Sequence, residues 1–404
     1  MGKSGVGVKS VLAKCLSYGI LLFFGVLCVY FDYYTRGLFL SSSNILNILQ
    51  QTAINTIIAV GMTFVIISGG IDLSVGSLVA LSGVVSMHVL VNGFAAPRPG
   101  LPGIATWNLA VAIPVAALVA MGVGAAAGAF SGFFITRMRV SPFIATLALM
   151  GSAKGLALVF SDGRPVSPLP VRFTDIVGGP SMVLNLPVRL LIALLTAVVV
   201  ILLYVFLTRT SFGGRLCRIR VFLPLVTSMC VVGCVLLWMA SSGRLVYAIP
   251  PVVPVALLVV AVGYIVLVRS GFGRRVYAIG GNQEAARLSG VNVWNTKVGV
   301  YTISGLLAGL SGFMLAARVC AGDPKSGEMY EMNAIAAVVL GGTSLMGGTG
   351  SVMGTLLGAL VIGALAVGLD LSHVSAYYQM VVKGGVILLA VVLDQLKMRL
   401  SSHA

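Results

Sequence analysis

The feature that most constrains this chain is a succession of long apolar runs separated by short polar breaks. Hydrophobic residues make up 58% of the 404 positions and charged residues only 9%, and the mean hydropathy is +1.07. A water-soluble domain needs a largely polar outer surface, which this composition does not supply. Runs of about 18 or more apolar residues are typical of membrane-spanning helices, whereas spanning strands show weaker alternation over about ten residues. The sequence therefore predicts an all-α polytopic membrane protein.

The apolar runs predict about twelve transmembrane helices. The predicted spans are 16–35, 50–69, 73–92, 108–132, 142–161, 189–208, 222–241, 251–268, 298–318, 334–348, 351–369 and 377–394. This division leaves a short N-terminus at 1–15, one transmembrane domain at 16–395 and a C-terminal tail at 396–404. With an even number of crossings, both termini lie on one side of the membrane.

Lysine and arginine are concentrated on that same side. More than half of the 26 basic residues fall in the two termini and in the loops near 134–141, 209–221 and 269–297. Because cytoplasmic loops of membrane proteins carry the excess of basic residues, we expect both termini and the loop 269–297 to be cytoplasmic. The net charge of +16 is thereby explained without nucleic-acid binding.

Two glycine-interrupted segments are candidates for a transport path. The strings "VIISGGIDLSVGSLVALSG" (65–83) and "VVLGGTSLMGGTGSVMGTLLG" (338–358) each join two apolar runs through a Gly-Gly break and small polar residues. Broken helices in corresponding places often form a transport site, although a Gly-Gly pair also makes an ordinary turn between helices. Asp72 has the alternative role of capping the helix that begins at Leu73. The candidate path residues are Asp72, Ser74, Gly76, Gly341, Gly342 and Thr343.

Catalytic and ionisable groups are sparse, with ten acidic residues and three histidines in the whole chain. No Ser/His/Asp array, zinc-protease motif or phosphate-binding loop is present, and the six cysteines lack metal or disulfide spacing. The sequence thus predicts no catalytic residue, metal or cofactor. Within the spans, Lys154 and Lys383 are the clear ionisable candidates, and each is close enough to the outer end of its helix to reach the interface. A substrate or gating role is the alternative for both lysines.

A polar segment, "FGRRVYAIGGNQEAARLSGV" (272–291), lies between two of the apolar runs. Asn282 is a suitable N-cap and Gly290 a suitable stop, so the sequence predicts a helix of about two turns between them. A partner protein that binds a rigid helix between two spans can tilt both spans. The candidate docking residues are Asn282, Glu284, Ala285, Ala286, Arg287 and Gly290.

Within this segment, Glu284, Ala285, Ala286 and Gly290 form the pattern EAAxxxG. In a cytoplasmic loop, this pattern resembles the ATPase-docking motif of permease subunits of bacterial ABC importers. Together with "GGIDLSVGSLVALSG", "VSPFIATLALM" and "VVLGGTSLMGGTGSVMGTLLGAL", it resembles the permeases of ribose, xylose and galactose importers over roughly 40–395. The resemblance implies the ABC importer permease fold in the bacterial inner membrane, with the sugar path between two copies. It also implies a tandem-domain ABC ATPase in the cytoplasm and a periplasmic or lipid-anchored sugar-binding protein outside.

The chain departs from this family in two places. An extra helix pair at about 209–250, flanked by the duplicated strings "SFGGR" and "GFGRR", is added to a core of about ten helices and resembles the longer xylose-type permeases. Positions 300–303 are Val-Tyr-Thr-Ile, where many ABC permeases carry an I-x-L-P-like tail. Because EAAxxxG occurs in 272–291 and not in the duplicated loop, we predict that 272–291 docks the ATPase.

Three other functions remain open. A permease of the same family for a nucleoside, riboflavin or another small polar solute fits the same motifs. A stand-alone secondary carrier fits less well, because such carriers usually bury ionisable residues in their spans. A polytopic membrane enzyme is disfavoured by the lack of catalytic groups.

Overall fold

The computed structural model describes residues 20, 22–92, 109–179 and 250–402. The predicted spans 189–208 and 222–241, the extra helix pair at about 209–250 and the terminal segment 1–15 lie outside the described residues. The described part is helical, and its one β-bridge joins Val166 to Gly322.

Twelve helices are numbered here in chain order within the described residues. They are α1 (Leu22–Tyr34), α2 (Ser42–Ile67), α3 (Val75–Asn92), α4 (Leu109–Arg137), α5 (Pro142–Phe160), α6 (Val252–Arg269), α7 (Gly271–Gly281), α8 (Gln283–Leu288), α9 (Val293–Val319), α10 (Tyr330–Leu340), α11 (Val352–Leu371) and α12 (Ala376–Ser402). A short helical turn, Val171–Phe173, and a π-helical turn, Thr174–Gly178, follow α5.

Six of these helices are long and apolar enough to cross a membrane, judged by length and composition: α2, α4, α5, α6, α9 and α11. The all-α membrane architecture predicted from the sequence is therefore confirmed. The predicted span 334–348 is not a continuous helix. Helix α10 ends at Leu340, and Gly342 adopts a left-handed backbone conformation with φ +82°. At ~1.5 Å per residue, α10 is about 17 Å long and too short to cross the bilayer alone.

Helix α9 lies at the centre of the bundle and packs against α2, α3 and α4. Its seam with α4 is built from glycines, because a Cβ at Gly124 would collide with the Gly305 carbonyl and one at Gly128 with the Tyr301 carbonyl. Such small residues allow two helix backbones to touch where lipid provides no hydrophobic force for association. The glycines that recur every four residues in α4 therefore serve packing within one chain.

The segment between α9 and α10 turns back into the bundle alongside α3. Gly322 packs against Met87, and Gly327 packs against Gly76 and Val79. Because Gly76 and Met87 are eleven residues apart on one helix, the chain descends by about 16 Å between these contacts. Helix α10 therefore begins deep in the bundle. The segment between α9 and α10, which we call the re-entrant segment, spans the depth that α10 is too short to cross.

Candidate functional site

The polar segment 272–291 forms two successive helices, α7 and α8, that connect the membrane helices α6 and α9. The Asn282 side chain caps α8 by accepting a hydrogen bond from the Ala285 backbone N–H at 2.9 Å. At the other end, the Gly290 N–H donates to the Arg287 carbonyl and the Val291 N–H to the Ala286 carbonyl. Gly290 itself has φ +82°, the left-handed conformation that commonly ends a helix. Both ends of α8 are thus fixed by local sequence.

One face of α8 is open to solvent. Glu284 and Arg287 form an exposed ion pair, and the hydrogen bond from Arg287, together with its charge, lowers the pKa of Glu284. Leu288 is 76% exposed, whereas Ala286 on the opposite face is 5% exposed. The open face combines an apolar side chain with two fixed charges, as protein-docking surfaces do.

Helix α7 packs directly against both glycine-interrupted segments, which we call the first break (65–83) and the second break (338–358). The Gly348 N–H donates to the Ile67 carbonyl at 2.9 Å, which joins the second break to the end of α2. A Cβ at Gly280 in α7 would collide with that same Ile67 carbonyl and with Gly348. Nearby, the Tyr277 hydroxyl donates to the Gly350 carbonyl at 2.8 Å. We call Ile67, Gly280 and Gly348 the glycine junction.

Helix α9 holds the first break. The Asp72 carboxylate accepts hydrogen bonds from the Ser74 N–H at 3.0 Å, from the Ser74 hydroxyl at 2.6 Å and from the Ser304 hydroxyl of α9 at 2.9 Å. Asp72 and Ser74 are both fully buried. Helix α3 begins at Val75 and not at Leu73, so Asp72 does not cap it directly but closes a turn onto Ser74, which precedes the helix, and holds that turn against a second helix.

Gly76, Gly341 and Thr343 are also enclosed in packing contacts, whereas Gly342 is exposed and a Cβ there would meet nothing within 4 Å. Thr343 is fully buried beside Gly350, and a Cβ at Gly341 would collide with Gly354 of α11. Gly76 leaves room for the Glu331 carboxylate of α10. These candidates therefore hold the two breaks in shape in this conformation.

Several residues at this site were not found from the sequence. Tyr277, Gly280 and Ser304 connect segments that are far apart in the chain, and no local pattern distinguishes them. The Lys297 ammonium group donates to the Gln283 side chain at 2.7 Å and ties α8 to α9. Glu331 was missed because the predicted span began at 334, whereas α10 begins at Tyr330.

Among the described residues, no group of three or more His, Cys, Asp or Glu side chains is placed to hold a metal ion. The site consists of the exposed helix α8 and of two helices, α7 and α9, that connect it to the two breaks. Such an arrangement can transmit a displacement from an outside partner to the membrane helices.

Comparison with known proteins identifies the family of this chain. Residues 44–221 and 230–391 match the family model described as branched-chain amino acid transport system / permease component. The chain belongs to this permease family. No solved structure matches it.

Individual relatives of this permease span nearly its whole length. The ribose import permease protein of Bacillus subtilis (strain 168) is 38% identical over 360 residues, which cover 89% of this chain and 87% of the relative. The ribose import permease protein of Escherichia coli (strain K12) is 37% identical over 361 residues, covering 89% and 88%. The xylose transport system permease protein of the same strain is 36% identical over 382 residues, covering 92% and 90%. The resemblance to ribose- and xylose-type permeases is therefore confirmed.

Proposed function

We propose that this permease is the transmembrane subunit of an ATP-driven ABC importer that moves a monosaccharide across the bacterial inner membrane. The relatives named for ribose and xylose support a monosaccharide as its substrate. A tandem-domain ABC ATPase binds α8 from the cytoplasm and performs the hydrolysis, so the permease itself is not an enzyme. A periplasmic or lipid-anchored sugar-binding protein delivers the solute, and a second copy of the chain completes the path. Both termini face the cytoplasm.

The observation that carries this proposal is the position of α8 between two helices that each hold one break. On one side, the Asn282 N–H donates to the Ala278 carbonyl of α7, and α7 contacts Gly348 at the glycine junction. On the other side, Gln283 is tied to Lys297 of α9, and α9 reaches the first break through Ser304 and Asp72. A force on α8 thus acts on both breaks together.

The coupling mechanism follows from these contacts. When the ATPase halves close on ATP, the docked α8 of each copy is displaced, and α7 and α9 move with it. Packed helices shift as rigid bodies because their cores do not deform continuously. The chain changes direction at the first break, between α2 and α3, and at the second break, between α10 and α11. We expect these helix ends to move relative to one another, so that the path opens to the other side of the membrane.

Two measurements test the proposal. The tagged permease is purified in mild detergent and its retained proteins are identified, with a variant in which 282–290 is scrambled as the control. We expect a tandem-domain ABC ATPase that the scrambled variant fails to retain. The reconstituted complex with its binding protein should then take up D-ribose or D-xylose only with ATP inside. Uptake by the permease alone, without ATPase, would instead establish a self-sufficient carrier.

A further inference from the structure

A cluster of ionisable groups lies within the bundle, away from the glycine junction and from α8. Glu331 occupies the first turn of α10 and is half-buried, and Glu328 precedes it on the re-entrant segment. Lys154, which projects from α5, interacts electrostatically with Glu331, as does Glu328. We call Lys154, Glu328 and Glu331 the charged cluster. None of its members takes part in the coupling contacts described above.

The fold places Glu331 inside the helical bundle, well away from the far end of α3. Its carboxylate fills the space left by Gly76, the second residue of α3, where a Cβ would collide with it. Sixteen residues of α3 separate Gly76 from Asn92 at the far end of that helix, a distance of about 24 Å. Lys154 lies six residues, or about 9 Å, from the end of α5.

Partly buried charges inside a helical bundle must be solvated or paired. Lys154 and Glu331 form no ion pair within 4 Å among the described contacts, and both side chains retain partial exposure. Placing a partly exposed charge against lipid hydrocarbon costs several kcal/mol. Ionisable residues in membrane helices therefore usually face a water-filled space or the bundle interior. The surface that carries the charged cluster therefore does not face lipid.

We propose that Lys154 and Glu331 line a water-filled chamber of the permease and contact the hydroxyl groups of a neutral, polyhydroxylated solute within it. A carboxylate accepts hydrogen bonds from two neighbouring hydroxyls, and an ammonium group donates up to three. Hydrogen bonds to a charged partner are stronger than those to neutral groups, so two such side chains hold a sugar without requiring any charge on it. The identity of the solute as a sugar rests on the proposed function, whereas the chamber does not.

The chamber is tested first by the chemical accessibility of engineered thiols. In a background with the six native cysteines replaced by alanine or serine, Lys154→Cys and Glu331→Cys are exposed to a membrane-impermeant methanethiosulfonate. The matched control is Leu258→Cys, because Leu258 is exposed on α6 and also lies six residues from one end of its helix. Thiolates react in water, so we expect modification at least about tenfold faster at the two chamber positions. Rates equal to the control at both positions would overturn the inference.

The contact with solute is tested in the complete importer with its ATPase and binding protein. Lys154→Met and Glu331→Gln should each reduce the D-ribose or D-xylose transported per ATP hydrolysed by about tenfold, the effect of losing one charged hydrogen bond. Lys325→Gln is the control, because it removes an exposed charge from the same re-entrant segment outside the cluster. Slower modification of Lys154→Cys in the presence of the transported sugar is the second readout. Unchanged transport in both variants would overturn the solute contact.

The two proposals fail in different ways. If the importer moves none of D-ribose, D-xylose and D-galactose while the thiols react rapidly, the chamber stands and the solute contact with a sugar is overturned along with the proposed substrate class. If sugar is transported while the thiols react as slowly as the Leu258→Cys control, the proposed function stands and the chamber is overturned. The amount of folded protein in each variant is measured by size-exclusion chromatography in detergent, which separates loss of function from loss of fold.

Discussion

Ser304 of α9 donates a hydrogen bond to the carboxylate of Asp72 at 2.9 Å, joining residues 232 positions apart. Asp72 is fully buried, and its remaining partners are the backbone N–H and hydroxyl of Ser74. A buried carboxylate is tolerated only when such donors replace its water. The contact therefore fixes where the first break lies against the central helix of the bundle.

The first prediction separates a structural role of Asp72 from a role in the path. Asp72→Asn retains an oxygen for Ser74 and a polar group for Ser304, so it should keep stability within about 1 kcal/mol and keep transport. Asp72→Ala leaves three donors unpaired and should destabilise the protein by about 2–4 kcal/mol. Thermal unfolding in detergent measures both. If Asp72→Asn unfolds normally but transports nothing, Asp72 acts in the path and not only as a structural contact.

The second prediction concerns the glycine junction. Gly280→Ala places a methyl group against the Ile67 carbonyl and Gly348, and should cost about 1–3 kcal/mol by forcing α7 away from the breaks. Gly281→Ala is the matched control, because a Cβ at the next position has nothing within 4 Å. We expect uptake to be lost or strongly reduced in Gly280→Ala alone, as measured in proteoliposomes with the ATPase. Equal uptake by the two variants would show that α7 does not transmit the movement.

The third prediction exchanges the two charges of α8. Glu284→Lys combined with Arg287→Glu preserves an exposed pair of opposite charges three residues apart, so the thermal stability of the permease should stay unchanged. The surface presented to the ATPase is nevertheless inverted, and opposed like charges disfavour docking. We expect normal insertion but no ATP-driven uptake, measured together with ATP hydrolysis by the reconstituted complex. Wild-type uptake by the exchanged variant would rule out docking through this pair.

The fourth prediction concerns Leu288, which is 76% exposed at the end of α8. Burial of a leucine side chain in a partner contributes about 1.5–3 kcal/mol, so Leu288→Ala should weaken ATPase binding by roughly tenfold or more. The thermal stability of the isolated permease should not change, because the side chain has no cover within the chain. Affinity is measured by titrating the purified ATPase in detergent, with Ser289→Ala as a neighbouring control. An unchanged affinity would place the ATPase contact elsewhere on the cytoplasmic surface.

The sequence by itself determined the class of protein and the short helix that carries EAAxxxG. Long apolar runs allow little besides membrane helices, because every backbone hydrogen bond must be made within the segment when no water is available. The ends of α8 were equally predictable, since Asn282 and Gly290 act on backbone groups only a few residues away. Both signals act over only a few residues, so they can be read from the sequence without the tertiary structure.

Contacts between distant segments were decided only by the tertiary structure. Nothing near Gly280 in the sequence indicates that it touches Ile67 and Gly348, and nothing near Gly76 indicates that it makes room for Glu331. The predicted crossing at 334–348 differed for the same reason. Hydropathy averages over a window, whereas the end of α10 depends on the left-handed turn at Gly342 and on a re-entrant segment packed against α3. Composition determines which segments enter the membrane, and packing determines how far each one goes and which side chains it brings together.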